Sequence, residues 1–177
     1  MLRYSLIYGS IIGVVVIAFM LAMMMSGPDN LNTSEAAGYA VMLAVLSLVF
    51  IGIKRFRDIE HGGVITFNQA AGVGAGIAVV AAVFYVITWE AYLLTTDYAF
   101  IETYSASLRA DIEAQNLAEA ARAAQIAELE EGMEMYRNPV FRLPITFIEI
   151  FPVGLVVALI SALILKNPKV LPAKAVA

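Results

Sequence analysis

Residues 62–89 read GGVITFNQAAGVGAGIAVVAAVFYVITW, an unbroken run between His61 and Glu90 without a single charge. A hydrocarbon core about 30 Å thick is crossed by roughly 20 helical residues, so this stretch is long enough to span it. In lipid the backbone must satisfy its own hydrogen bonds, which makes the segment an α-helix. Working outward, the same pattern returns: residues 4–28 and 36–53 carry no charge, and residues 143–165 carry only Glu149. Four spans follow, over about 4–26, 36–53, 64–89 and 143–165.

Composition agrees, since 61% of the 177 residues are hydrophobic, above the roughly 45–50% of a soluble domain. The expected architecture is all-α: a single integral membrane domain over residues 1–177, built as a four-helix bundle. Its N-terminal stretch is longer than a signal-peptide core, and Met23-Met24-Met25 is no small-residue cleavage site, so it reads as a retained first span. The chain has no cysteine, which removes disulfides, thiolate metal sites and cysteine nucleophiles. A formal charge of −4 argues against nucleic acid as a partner.

Basic residues set the threading, because Lys- and Arg-rich loops stay on the cytoplasmic side. Arg3, then Lys54, Arg55 and Arg57, then Lys166, Lys169 and Lys174 fall at the N-terminus, the second loop and the C-terminal tail. Both termini are therefore expected in the cytoplasm, as an even number of spans also requires. Gly27-Pro28 ends span one, and Asn32 with Glu35 has the spacing of a capping box for span two. Lys54-Arg55-Phe56-Arg57 then places positive charge at a helix C-terminus, where it suits the macrodipole. Trp89 and Tyr92 stand where span three meets the opposite interface.

Residues 90–142 form a long polar loop that nevertheless reads as helical. Ile101, Tyr104, Leu108 and Ile112 make one apolar stripe at helical spacing, and Ile126, Leu129, Met133 and Tyr136 make another. One continuous helix over residues 90–137 would be about 72 Å long, yet its ends must return to one bundle. A hairpin over about 97–137, bending near Asn116, resolves this, and Asn116 with Glu119 offers a second capping box.

Chemistry is sparse. Gly9 with Gly13, and Gly72 with Gly76, form small-residue pairs that let helix backbones approach, within the bundle or along a homodimer seam. Glu149 is the one ionisable residue inside an apolar window, about 10 Å along the helix from Arg142. Pro152 and Pro144 cannot donate to the carbonyls of Ile148 and Val140, so span four has two bending points with freed carbonyls. A carboxyl there is expected to face the bundle interior and to bond a hydroxyl at its level, Tyr39 or Tyr85. Asn68 and Gln69 are expected to bond neighbouring helices at the inner end of span three. His61 stands alone, and with Asp58 it is too few ligands for a catalytic zinc. His61-Gly62-Gly63 has no GxSxG nucleophile to serve, so no catalytic residue, metal or cofactor is expected.

Two blocks carry a resemblance: residues 52–58 with 62–67, and Met135-Tyr136-Arg137-Asn138-Pro139 through Thr146-Phe147 and Glu149 to Pro152-Val153-Gly154-Leu155. They resemble the bacterial domain-of-unknown-function family four-one-nine-nine, small membrane proteins. The resemblance implies four spans, a polar helical segment before the last, and a bacterial inner membrane, with no agreed activity and no site residue to transfer. Asn138-Pro139 reads independently as a helix start, Asn as N-cap and Pro in the first turn. The functional expectation is a non-enzymatic inner-membrane protein whose outer hairpin organises itself or docks a partner, with membrane lipids and a protein partner or second copy as its contacts. The alternative is a carrier of a small solute, ion or lipid around Glu149.

Overall fold

The computed structural model describes residues 1–25, 43 and 45–173, with side chains for 1–18, 43 and 45–173. Among the described residues there are six helices and no strand: α1 Leu2–Met25, α2 Leu48–Glu60, α3 Phe67–Thr95, α4 Ala99–Ala114, α5 Glu119–Arg137 and α6 Pro139–Leu165. Two of them, α3 with 29 residues and α6 with 27, are long and apolar enough to cross a membrane. The Asn32–Glu35 box, Tyr39 and residues 36–42 and 44 of the expected second span lie outside the described residues. α2 continues past the expected end at residue 53, so Lys54, Arg55 and Arg57 sit on the helix itself. Gly62 and Gly63, at φ 59° and 92°, turn the chain after it; such φ values suit glycine because it has no Cβ to clash.

The chain resolves into two compact units: Met1–Tyr85 with Phe147–Ala177, and Val86–Thr146. In the first, Ile12, Val49, Ile53, Val73, Ile77 and Ala158 are fully buried and form one core. Glycines set its closest approaches. A Cβ on Gly13 would stand 2.5 Å from Phe84, and one on Gly9 2.5 Å from Val80, so α1 lies against α3. Gly76 meets Ser5 from the other side of this seam. Gly72, expected to belong to it, has nothing within 4 Å among the described residues, because the turn of α3 that meets α1 presents Gly76 instead. A seam without a sequence counterpart joins α3 to α6, where a Cβ on Gly74 would stand 2.7 Å from that of Ala158 and one on Gly154 2.9 Å from that of Ala78.

Gln69 does not reach a neighbouring helix as expected. Its Oε1 accepts from the Thr66 backbone N–H at 3.1 Å and the Thr66 hydroxyl at 2.9 Å, while its own N–H donates to Thr66 Oγ1 at 3.4 Å. This reciprocal pair is a capping box for α3, satisfying donors that a helix start leaves open.

The second unit holds the α4–α5 hairpin. Ile101 is buried, and Leu108, Ile112, Ile126, Leu129, Met133 and Tyr136 are half-buried, so the two apolar stripes close on each other. Tyr104 is the exception; it remains exposed and stacks on Phe100 with ring centroids 5.7 Å apart. Arg109 bridges the two helices, donating to Glu130 at 3.0 Å. The expected Asn116 cap is absent: Ala118 occupies the N-cap of α5 and makes no side-chain cap bond. The Leu117 N–H bonds the Gln115 carbonyl at 2.8 Å, which tightens the turn and places the N-cap two residues after Asn116. Asn116→Ala should therefore change unfolding stability by less than about 0.5 kcal/mol, the range of an ordinary surface change. A loss near 1 kcal/mol in denaturant titration would reveal a working cap.

Candidate functional site

The densest polar cluster of the second unit is organised by Arg142. The Val140 N–H donates to Asn138 Oδ1 at 3.0 Å, and Pro139 opens α6, so the helix begins where Asn-Pro predicts. That start places Arg142 in the first turn, fully buried. Its Nε and Nη2 grip both oxygens of Glu90 at 2.7 and 2.6 Å. Its Nη1 donates to the carbonyls of Tyr136 and Arg137 at 3.2 and 2.9 Å, groups at the end of α5 that have no helical donor. The guanidinium lies 5.5 Å from the centre of the Tyr98 ring. Tyr98 itself has φ 60°, a strained setting for a bulky residue, and its N–H is held by the Leu93 carbonyl at 2.8 Å. Trp89 Nε1 donates to the Tyr136 hydroxyl at 2.9 Å, and Trp89, Tyr92 and Phe100 pack ring on ring. Arg142 thus directs its donors at protein groups, and the cluster works as a lock rather than a receptor.

Thr146, one turn further along α6, is fully buried, and among the described residues its hydroxyl has no hydrogen-bond partner. An unsatisfied buried hydroxyl costs about 1–3 kcal/mol. Thr146→Val, nearly the same shape without that group, should raise stability by about 1 kcal/mol in thermal or denaturant unfolding. A loss of stability would show that the hydroxyl has a partner.

In the first unit a second buried arginine, Arg57, ties chain ends together. Its Nε donates to Asp58 at 2.8 Å, and its Nη groups reach the carbonyls of Val170 at 2.9 Å, Leu171 at 2.6 Å and Leu165 at 3.4 Å. Lys54 pairs with Asp58 from the preceding turn. Burial pushes the Asp58 carboxyl up, but hydrogen bonds from Lys54 and Arg57 outweigh it and hold the group below the usual carboxylate range. Nearby, the Tyr4 hydroxyl donates to Glu60 at 2.9 Å, and Tyr4 meets Phe56 edge to face. The start of α1, the end of α2 and the end of α6 therefore share one end of this unit.

Glu149 does not face the interior. It lies on the exposed surface of α6, and no hydrogen bond reaches it among the described residues. Tyr85 is half-buried against the core of the first unit, and Tyr39 lies outside the described residues. The reason is the α3–α6 seam: Ile150, Gly154, Ala158 and Ala162 turn inward because the small ones permit close approach. Glu149, about 100° round the helix from Ile150, is left outside.

Sequence reading placed Arg57 in a cluster of topology-setting charges and Arg142 at the edge of a span, and expected neither to be buried. Arg142 did leave a signal, since a cation in the first turn of a helix opposes the macrodipole and calls for a partner. Arg57 left none, because most of its acceptors are backbone carbonyls more than a hundred residues away.

The fold defines an all-helical protein with apolar helices of membrane-spanning length. The chain belongs to the family described as protein of unknown function, DUF4199, whose model matches residues 7–167. No curated protein and no solved structure matches it.

Proposed function

We propose that this is a non-enzymatic, four-span protein of a bacterial inner membrane, with both termini cytoplasmic, that holds the α4–α5 hairpin outside as an acidic docking platform for a protein with a basic surface. The carrying observation is that α5 has no buried residue although the hairpin is anchored at its base by the buried Arg142–Glu90 pair. Residues 99–137 hold eight acidic and three basic side chains, so the offered surface is strongly negative. Four spans are supported by the charge-free windows and by Arg3, Lys54, Arg55, Arg57, Lys166 and Lys169 falling on segments near the shared end of the first unit. The carrier reading loses its interior carboxyl, because Glu149 points away from the core.

Single cysteines should be labelled by an impermeant reagent from outside at Asn116 but not at Gly62 or Ala173; labelling at Gly62 in sealed cells would overturn the threading. A photocrosslinker at Glu131 in native membranes should give one discrete protein adduct, abolished by Glu128→Lys with Glu134→Lys. No adduct, or one indifferent to charge reversal, would leave the hairpin as a self-contained cap and end the docking reading.

A further inference from the structure

On the outer face of α6 no donor reaches Glu149 among the described residues. α6 is helical from Pro139 to Leu165 without interruption. Pro152 has no N–H to offer, so the carbonyl of Ile148, four residues earlier, lacks its helical donor. Ile148 is 62% exposed, and Glu149 and Pro152 are exposed beside it. A carboxylate and a freed carbonyl thus stand on one face, within one turn. Below them the same side of the helix is apolar and open, through Val156, Ile160 and Leu163.

We propose that Glu149 and the Ile148 carbonyl form a membrane-facing site for the primary ammonium headgroup of a lipid, whose chains lie along Val156, Ile160 and Leu163. This rests on the reading of α6 as a span. If α6 leaves the hydrocarbon at Leu165, just before Lys166, roughly 20 residues carry it back to about Thr146. Glu149 then lies about 5 Å inside the boundary, within reach of headgroups but too deep for free hydration. Two acceptors with no donor among the described residues call for a cation with several N–H groups, and a primary ammonium has three. A divalent metal fits poorly, since calcium takes six to eight oxygen ligands and magnesium six. A soluble amine would satisfy the acceptors but leave the apolar strip below them unused, and a lipid uses both.

The test is reconstitution of the full chain in nanodiscs containing phosphatidylethanolamine and phosphatidylcholine in equal amounts, followed by native mass spectrometry of retained lipid. At the headgroup nitrogen the first carries three N–H groups and the second three methyl groups, which donate no hydrogen bond. Phosphatidylethanolamine should be retained about tenfold over phosphatidylcholine, which corresponds to about 1.4 kcal/mol. Glu149→Gln, which keeps the shape, should abolish that preference. Pro152→Ala, which gives the Ile148 carbonyl its donor back, should weaken it, and Glu128→Gln on the hairpin should leave it intact. Equal retention of both lipids, or an unchanged preference in Glu149→Gln, overturns the proposal. Displacement of the lipid by free ethanolamine overturns the lipid as source, because the chains would then contribute nothing. A spin label at Ile160 reports separately on the span: collision with oxygen is expected, and collision with an aqueous nickel chelate would overturn the proposal by removing the membrane from around α6.

Discussion

Arg142→Met is expected to cost about 3–5 kcal/mol of unfolding free energy, because removing one member of a buried ion pair leaves the other uncompensated. Glu90 would keep its carboxylate largely enclosed with neither N–H donor. The carbonyls of Tyr136 and Arg137 would lose their cap at the same time, and the strained Tyr98 would lose the cation over its ring. Thermal unfolding in detergent measures the total. Limited proteolysis at residues 115–118, the turn of the hairpin, measures where the loss is felt, and cleavage there should rise more than elsewhere. Replacing both charges, Arg142→Met with Glu90→Leu, should recover much of the loss, since a buried pair exchanged for apolar groups is often near neutral. If the double variant is as unstable as the single one, the carbonyl caps rather than the ion pair dominate.

The two arginines also mark where sequence reading stops. Charge-free windows are legible because membrane thickness imposes a length on any helix that crosses it, and α3 and α6 have that length. The hairpin is legible because a stripe at 3.6-residue spacing needs no knowledge of its partner; Ile101, Leu108, Ile112, Ile126 and Leu129 all turn toward the opposing helix. Caps are less secure, since they depend on which residue the turn delivers to the helix start. Asn116–Glu119 has the right spacing and makes no cap, whereas Thr66–Gln69 has the same spacing and does. The facing of Glu149 was not legible from its own neighbourhood. It is decided by Gly154 and Ala158 packing on Ala78 and Gly74, contacts between segments some eighty residues apart. The expectation of an inward Glu149 rests on the cost of a carboxyl in lipid, and on this helix the small residues select the other face.

Arg57→Ala should remove about 3 kcal/mol, since three backbone carbonyls and one carboxylate lose a fully buried cationic donor. The loss should appear first at the C-terminal tail, because Val170 and Leu171 are joined to the end of α2 by this side chain. Leu171 has φ 46°, unusual for a branched residue, and the 2.6 Å bond from Arg57 to its carbonyl helps hold it there. Hydrogen exchange of residues 166–173 should accelerate in the variant while α4 and α5 keep their protection. Lysine at position 57 should restore little, as one ammonium cannot reach Asp58 and two successive carbonyls with the fork geometry of a guanidinium. The same cluster gives stability a pH dependence with a definite sign. The Asp58 carboxyl titrates below its unfolded value near 3.9, so its contribution is complete above that pH and is lost as pH falls through the lower, folded value. Asp58→Asn should therefore flatten the acid limb of the stability curve and leave its neutral plateau lower. An acid limb unchanged in Asp58→Asn would show that Lys54 and Arg57 do not stabilise that carboxylate in the folded protein.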